Sequence, residues 1–260
     1  MKDVAAGEDV RGITLQRVGV KDVHLPVLIR RKDGGHDSVL ARIDMSVELP
    51  HQFRGTHMSR FLSILSAWSE KPMGISDLHE MLSDARARLD ARRAEAVITF
   101  KYFLPKQAPV SGAPSSLDYD CSFHGVVEDD DFTFTLGVEV PVTLLCPCSR
   151  DISEHGAHNQ RGMIRVSLRC PARQFIWIED LVPMLEAQGS SQIYPLLKRE
   201  DEKFVTEQAY ENPKFVEDVL RDVVAALRAD QRVVWFRAEC ESLESIHNHS
   251  AYAMQEEPRG

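Results

Sequence analysis

The sequence lacks any apolar run of the ~18–20 residues that a membrane-spanning helix requires. It also lacks an apolar signal core: Met1 to Arg11 alternates charged with small residues, the pattern of a chain that is not secreted. Cysteine is scarce and odd in number, five in 260 residues, which speaks against a disulfide framework and for a reducing cytoplasm. Positive charge is in deficit. Thirty-one Lys and Arg against 40 Asp and Glu give a formal net charge of −9. That balance excludes a chain whose main business is coating nucleic acid or an anionic membrane, though not one anionic ligand in a local basic pocket. What is present is the composition of a soluble globular protein, long enough for one large domain or two small ones.

The apolar pattern is mixed α and β. Val39, Ala41, Ile43, Met45 and Val47 alternate with Arg42, Asp44, Ser46 and Glu48, which predicts a half-buried antiparallel strand. Phe61, Leu62, Ile64, Leu65 and Trp68 fall at helical spacing between His57 and Glu70. A second helix is predicted over about Ser76–Arg93, and strands near Ala96–Leu104 and Tyr119–Val127. The order then recurs. Strands are predicted over Phe132–Thr143 and Ile164–Cys170, then a helix over Ile178–Gln188. A further helix carrying Phe215 to Leu227 is predicted to be opened by Asn212 and Pro213, and strands follow at Arg232–Cys240 and toward Tyr252. Each half reads β-β-α-α-β-β, a repeat of pattern without repeat of residues. Gln107–Ser116 is a loop by composition, and the acidic turn Glu128–Asp131 is the better boundary between halves.

The densest chemical cluster is Cys146-Pro147-Cys148 followed by His155 and His158. Thiolate and imidazole are the best ligands for zinc and related ions, and twelve positions from Cys146 to His158 leave room for a loop that returns on one ion. Both cysteines could bind, or one could bind while the other stays a reactive thiol; the alternative is two small core residues. Glu241, Glu244, His247 and His249 form a second cluster, with both histidines on one face if the segment is extended. The start of the first helix gathers Arg54, His57 and Arg60, which with Arg161 could cradle phosphates. The charged run Leu196–Lys203 reads as a solvated turn, and Glu217 as one of several exposed helix carboxylates.

These segments together resemble the type IB GTP cyclohydrolases. The resemblance rests on Ile43-Asp44-Met45, Leu49-Pro50 and Phe53-Arg54-Gly55-Thr56-His57-Met58-Ser59-Arg60-Phe61 in the first half. In the second half it rests on Cys146-Pro147-Cys148-Ser149, Gly156-Ala157-His158-Asn159-Gln160-Arg161, Leu197-Lys198-Arg199, Asp201-Glu202-Lys203, Asn212-Pro213-Lys214-Phe215-Val216-Glu217-Asp218 and Glu244-Ser245-Ile246-His247-Asn248-His249. It runs from about Asp22 to Ala253 and leaves 1–21 as a variable segment, with modules at 22–128 and 129–255.

The resemblance implies an α+β tunnelling fold. Two β-β-α-α-β-β modules per subunit, antiparallel sheets with helices on one face, assemble as a homotetramer around a central tunnel with sites at subunit interfaces. It implies a hydrolase that opens GTP at C8 and yields 7,8-dihydroneopterin triphosphate and formate, the first step toward tetrahydrofolate, in the cytoplasm, with no nucleic-acid or membrane partner. Matched positions make Cys146, His158, Glu202 and His247 the metal site, for Mn²⁺, Zn²⁺ or Fe²⁺. Cys148, Glu244, His247 and His249 match catalytic positions, and Glu217 the guanine anchor. Arg54, His57, Arg60, Arg161, Lys198 and Arg199 are the candidates to hold the triphosphate. The rival expectations are a tunnelling-fold nitrile reductase of deazapurine biosynthesis and a non-catalytic metal-stabilised binding protein.

Overall fold

The structure is a computed structural model that describes residue 7, residues 9–171 and residues 174–258. Of the segment expected to be variable, residues 1–6 and 8 therefore lie outside the described residues. Strand β1 (Leu15–Arg30) already begins within that segment and is hydrogen-bonded antiparallel to β2 (His36–Leu49). Then come α1 (Met58–Ser69), the two-residue β3 (Pro72–Met73), α2 (Ile75–Leu89), β4 (Arg93–Gln107), β5 (Pro114–Glu128) and β6 (Asp131–Leu145). The rest of the chain is α3 (Pro147–Ile152), β7 (Asn159–Arg169), α4 (Ile178–Glu186), α5 (Arg199–Glu211), α6 (Val216–Ala229), β8 (Trp235–Leu243) and β9 (Ser250–Pro258). The strands hydrogen-bond in the order β3-β1-β2-β4-β5-β6-β7-β8-β9, with β3 parallel to β1 and the β1–β2, β2–β4, β7–β8 and β8–β9 pairs antiparallel. This is an α+β fold on a large, mostly antiparallel sheet.

The chain divides into two compact units, one of residues up to Lys101 with Ser122–Leu136, the other of Tyr102–Cys121 with the chain from Gly137 onward. In the first, α1 buries Phe61, Ile64, Leu65 and Trp68, and α2 buries Leu78, Met81, Leu82 and Ala85. They cover inward side chains of alternating strands such as Ile43, Met45, Ile98 and Phe100, all but removed from water. Gly19 marks where β1 crosses β2 most closely. A Cβ there would sit 1.9 Å from the Met45 carbonyl oxygen, so no side chain fits without breaking the pairing.

In the second unit, α6 buries Val216, Val219, Leu220, Val223, Val224 and Leu227 and packs on β8 and β9. Antiparallel pairing of β7 with β8, which α4, α5 and α6 separate in sequence, sets Ile164 opposite Cys240 and Arg161 opposite Leu243, and so brings the start of β7 beside the end of β8.

Three expectations need correction. The run Leu196–Lys203 is not a solvated turn throughout, because from Arg199 it is the first turn of α5. That helix buries only Asp201 and Ala209, so it carries no apolar stripe for periodicity to detect. Asn212 does not open α6. It caps the C-terminus of α5, and its amide donates to the carbonyls of Gly189 and Ser190 at 3.1 and 3.3 Å, while α6 starts after Phe215. The loop of Gln107–Ser116 is shorter than its composition suggests, since β4 runs to Gln107 and β5 begins at Pro114. The second half thus follows β-β-α-α-β-β with α3 and α5 added.

Candidate active site

Cys146 follows the last residue of the long strand β6 and is the N-cap of the short helix α3. Pro147, with its fixed φ and missing N–H, occupies the first helical position where that N–H has no partner to lose. The chain then returns so that the Cys146 N–H donates to the His158 carbonyl at 3.1 Å. Ser149 ties the loop from inside. Its N–H reaches the Cys146 Sγ at 3.4 Å, and its hydroxyl accepts the His158 N–H at 2.9 Å. The twelve-residue return anticipated from spacing is therefore present, with both residues half-buried, whereas Cys148 and His155 are exposed.

The His158 ring is held by Gln160, whose Oε1 lies 2.9 Å from Nδ1. On its other side Gln160 donates from Nε2 to Glu244 Oε1 at 3.5 Å, and the buried Ser242 hydroxyl donates to the same oxygen at 2.8 Å. Glu244 follows the last residue of β8. Beyond it the chain bends instead of running extended, yet the rings of His247 and His249 stack at 5.1 Å between centroids, 11° from parallel. Both rings are exposed. Glu241, the remaining acid of that cluster, is engaged elsewhere: Arg165 donates to it at 2.8 Å and holds its carboxyl below the usual range, helped by Ser250.

Glu202 stands in the first turn of α5 beside the N-cap Lys198 and the first helical residue Arg199, all three exposed. Asp201 between them is fully buried and accepts the Lys198 N–H at 2.9 Å. Sequence reading passed over Asp201, and also Gln160 and Ser149, because their value lies in partners distant in sequence or in loop geometry. Among the described residues no three Cys, His, Asp or Glu side chains are gathered as a metal ion requires. The fold joins Cys146 and His158 and leaves Glu202 and His247 on other elements. The donors of that pair nonetheless suit an ion. The thiol takes up only a weak bond from one amide, and a ring held at Nδ1 keeps Nε2 for coordination.

Glu217 is exposed in the first turn of α6, whose N-terminus is capped by Asp218 accepting the Phe215 N–H at 3.1 Å. Its charge is felt on β8. The Cys240 thiol there is pushed up to about 12, first by burial and then by the Glu217 charge. Of the basic candidates, Arg161 is exposed on β7. In the first unit, Arg54 is exposed with its N–H on the Gly7 carbonyl, and His57 is the N-cap of α1. Arg60 is already engaged, donating to the Arg88 carbonyl at 3.2 Å, where α2 ends.

Comparison with known proteins shows the family. Residues 1–253 match the family described as type I GTP cyclohydrolase FolE2. A GTP cyclohydrolase FolE2 of Syntrophotalea carbinolica is 50% identical over 258 residues, covering 99% of this chain and 96% of the relative. One from Geobacter sulfurreducens is 48% identical over 259 residues, covering 100% and 99%. In three dimensions the chain is similar to the uricase of Arthrobacter globiformis, with a TM-score of 0.57 at 7% identity over 99% of this chain and 96% of that one. A uricase from Bacillus fastidious gives 0.56 at 6% identity over 94% of each. At such identity these neighbours speak to the fold alone, and that fold is the tunnelling fold. With residues 1–253 matched by the family and 99% of its length by a relative half identical to it, this chain belongs to the type I GTP cyclohydrolases of the FolE2 family.

Proposed function

We propose that this chain hydrolyses GTP at C8 to 7,8-dihydroneopterin triphosphate and formate. The observation that carries the reading is the Cys146–His158 loop, whose imidazole is joined through Gln160 to Glu244, in a chain of this family. Cys146 and His158, with Glu202 and His247, hold a divalent ion, Mn²⁺, Zn²⁺ or Fe²⁺, a mixed donor set that selects no single metal strongly. When bound, such an ion makes water a nucleophile near neutral pH.

The chain's own groups do the rest. Glu217 accepts guanine N1–H and the 2-amino group together, the two adjacent donors a carboxylate fits. Glu244, His247 and His249 carry protons to the leaving nitrogen and through the later ring closure. Cys148 stands close to the ion as the second thiol. Arg54, His57, Arg60, Arg161, Lys198 and Arg199 supply the positive charge for the triphosphate, from more than one subunit of a homotetramer with sites at its interfaces. No helix among the described residues is long and apolar enough to cross a membrane, in keeping with a cytoplasmic enzyme of tetrahydrofolate synthesis.

The test is incubation with GTP, with and without EDTA, then with Mn²⁺ or Zn²⁺ restored, following oxidised neopterin fluorescence and formate. Metal-restored release of both supports the proposal. Silence with every ion from folded protein overturns it, and NADPH oxidation with a nitrile substrate is then the next assay.

A further inference from the structure

Gln160 sits one step beyond the last β7–β8 register pair, Arg161 with Leu243, and so faces Glu244 where the paired strands end. Its amide bridges two groups of opposite demand. The Glu244 Oε1 accepts from Ser242 at 2.8 Å and from the Gln160 Nε2 at 3.5 Å, so the amide turns its NH₂ toward Glu244. The reverse orientation would set a carbonyl oxygen against a carboxylate. With NH₂ committed, Oε1 faces His158 Nδ1 at 2.9 Å, and that nitrogen must carry the proton. The second nitrogen, Nε2, is then the one that keeps a free lone pair. The chemistry of one acid thus sets the tautomer of a histidine two residues from Gln160.

We infer that Gln160 is a positioning residue. It fixes His158 as the Nδ1–H tautomer that can coordinate through Nε2, and it links that ring to Glu244. The inference rests on the proposed metal site but goes beyond it, because it assigns a role to a residue outside the proposed metal ligands and GTP contacts. Partners of ligating histidines contribute roughly 10- to 100-fold in metal affinity.

The tautomer is read in metal-free protein labelled with ¹⁵N-histidine, without GTP, by two-bond ¹H–¹⁵N correlation under conditions where imidazole is neutral. The His158 signals are identified by their loss in His158→Ala. Because no turnover is involved, the result stands or falls separately from the cyclohydrolase reading. The wild type is expected to show His158 protonated at Nδ1. Gln160→Leu is expected to move the proton to Nε2 and to weaken Mn²⁺ or Zn²⁺ binding, by chelator competition, about 10- to 100-fold. Gln160→Glu combined with Glu244→Gln keeps an acceptor for Nδ1–H and a neutral donor opposite it, and is expected to restore the tautomer and most of the affinity. A wild-type His158 protonated at Nε2 overturns the inference even if the Leu variant does not fold. So does weakened metal binding in Gln160→Leu with the tautomer unchanged, since that marks a merely structural role.

Discussion

The Ser111 hydroxyl donates to Asp201 at 2.6 Å across ninety positions of sequence, and the N–H groups of Val110 and Ser111 each reach the other carboxylate oxygen at 2.8 Å. One buried acid therefore pins the turn between β4 and β5 to the start of α5, where Lys198, Arg199 and Glu202 stand. Burial by itself would raise this carboxyl. The hydrogen bonds from Ser111, Lys198 and Val110 outweigh it and hold the group well below the usual range. The unfolded chain, with an Asp near about 3.9, takes up its proton first as pH falls. The stabilisation is complete above that value and is lost progressively below it. Urea midpoints should therefore drop as pH is lowered from about 5. Asp201→Asn should have a lower midpoint at neutral pH and a flatter acid profile. An unchanged profile would remove Asp201 from this role.

Lys106 and Glu186 form a buried pair at 2.7 Å. Gln192 accepts a second Lys106 proton at 2.9 Å, and Tyr119 donates to Glu186 at 2.7 Å, its phenol pushed far up by burial and then by that bond. Removing one partner leaves a charge uncompensated away from water. Lys106→Met should destabilise by about 3–5 kcal/mol, and Lys106→Met with Glu186→Leu should recover much of that loss. Denaturant titration of both variants decides it. A single variant as stable as the parent would mean that the pair carries little.

Glu217 is exposed and no described helix contact depends on its carboxylate. Glu217→Ala should leave folding and metal content intact. It should lower kcat/KM for GTP by roughly 10²- to 10⁴-fold, the loss of two hydrogen bonds to a charged group at about 1.5–3 kcal/mol each. Normal turnover in this variant would remove the guanine anchor from Glu217.

The two thiols differ in setting: Cys146 is half-buried under the Ser149 N–H, and Cys148 is exposed one residue into α3. Cys146→Ala should lose more bound metal than Cys148→Ala when both are loaded with Mn²⁺ or Zn²⁺ and measured by elemental analysis. Equal losses would make both thiols ligands.

The sequence by itself determined the alternating strands and the helices with apolar stripes. β2, α1, α2 and α6 are read from side chains spaced at two or at 3.6 residues, because burial of one face dictates that spacing. The Cys146–His158 loop was also legible, since soft ligands close together in a chain with few cysteines have few other uses. Asp201 and α5 were not legible. A helix that buries one acid and one alanine leaves no periodic trace, and its register is set by the turn at Val110 and Ser111. Glu217 and Glu202 looked like ordinary surface carboxylates, and only likeness to a family singled them out. The tertiary structure decided which acids are buried and bonded, and that Gln160 meets His158 at Nδ1. Hydrogen-bond partners such as Gln160 and Glu244 lie 84 positions apart, and no local pattern encodes a pairing made only when β7 and β8 meet.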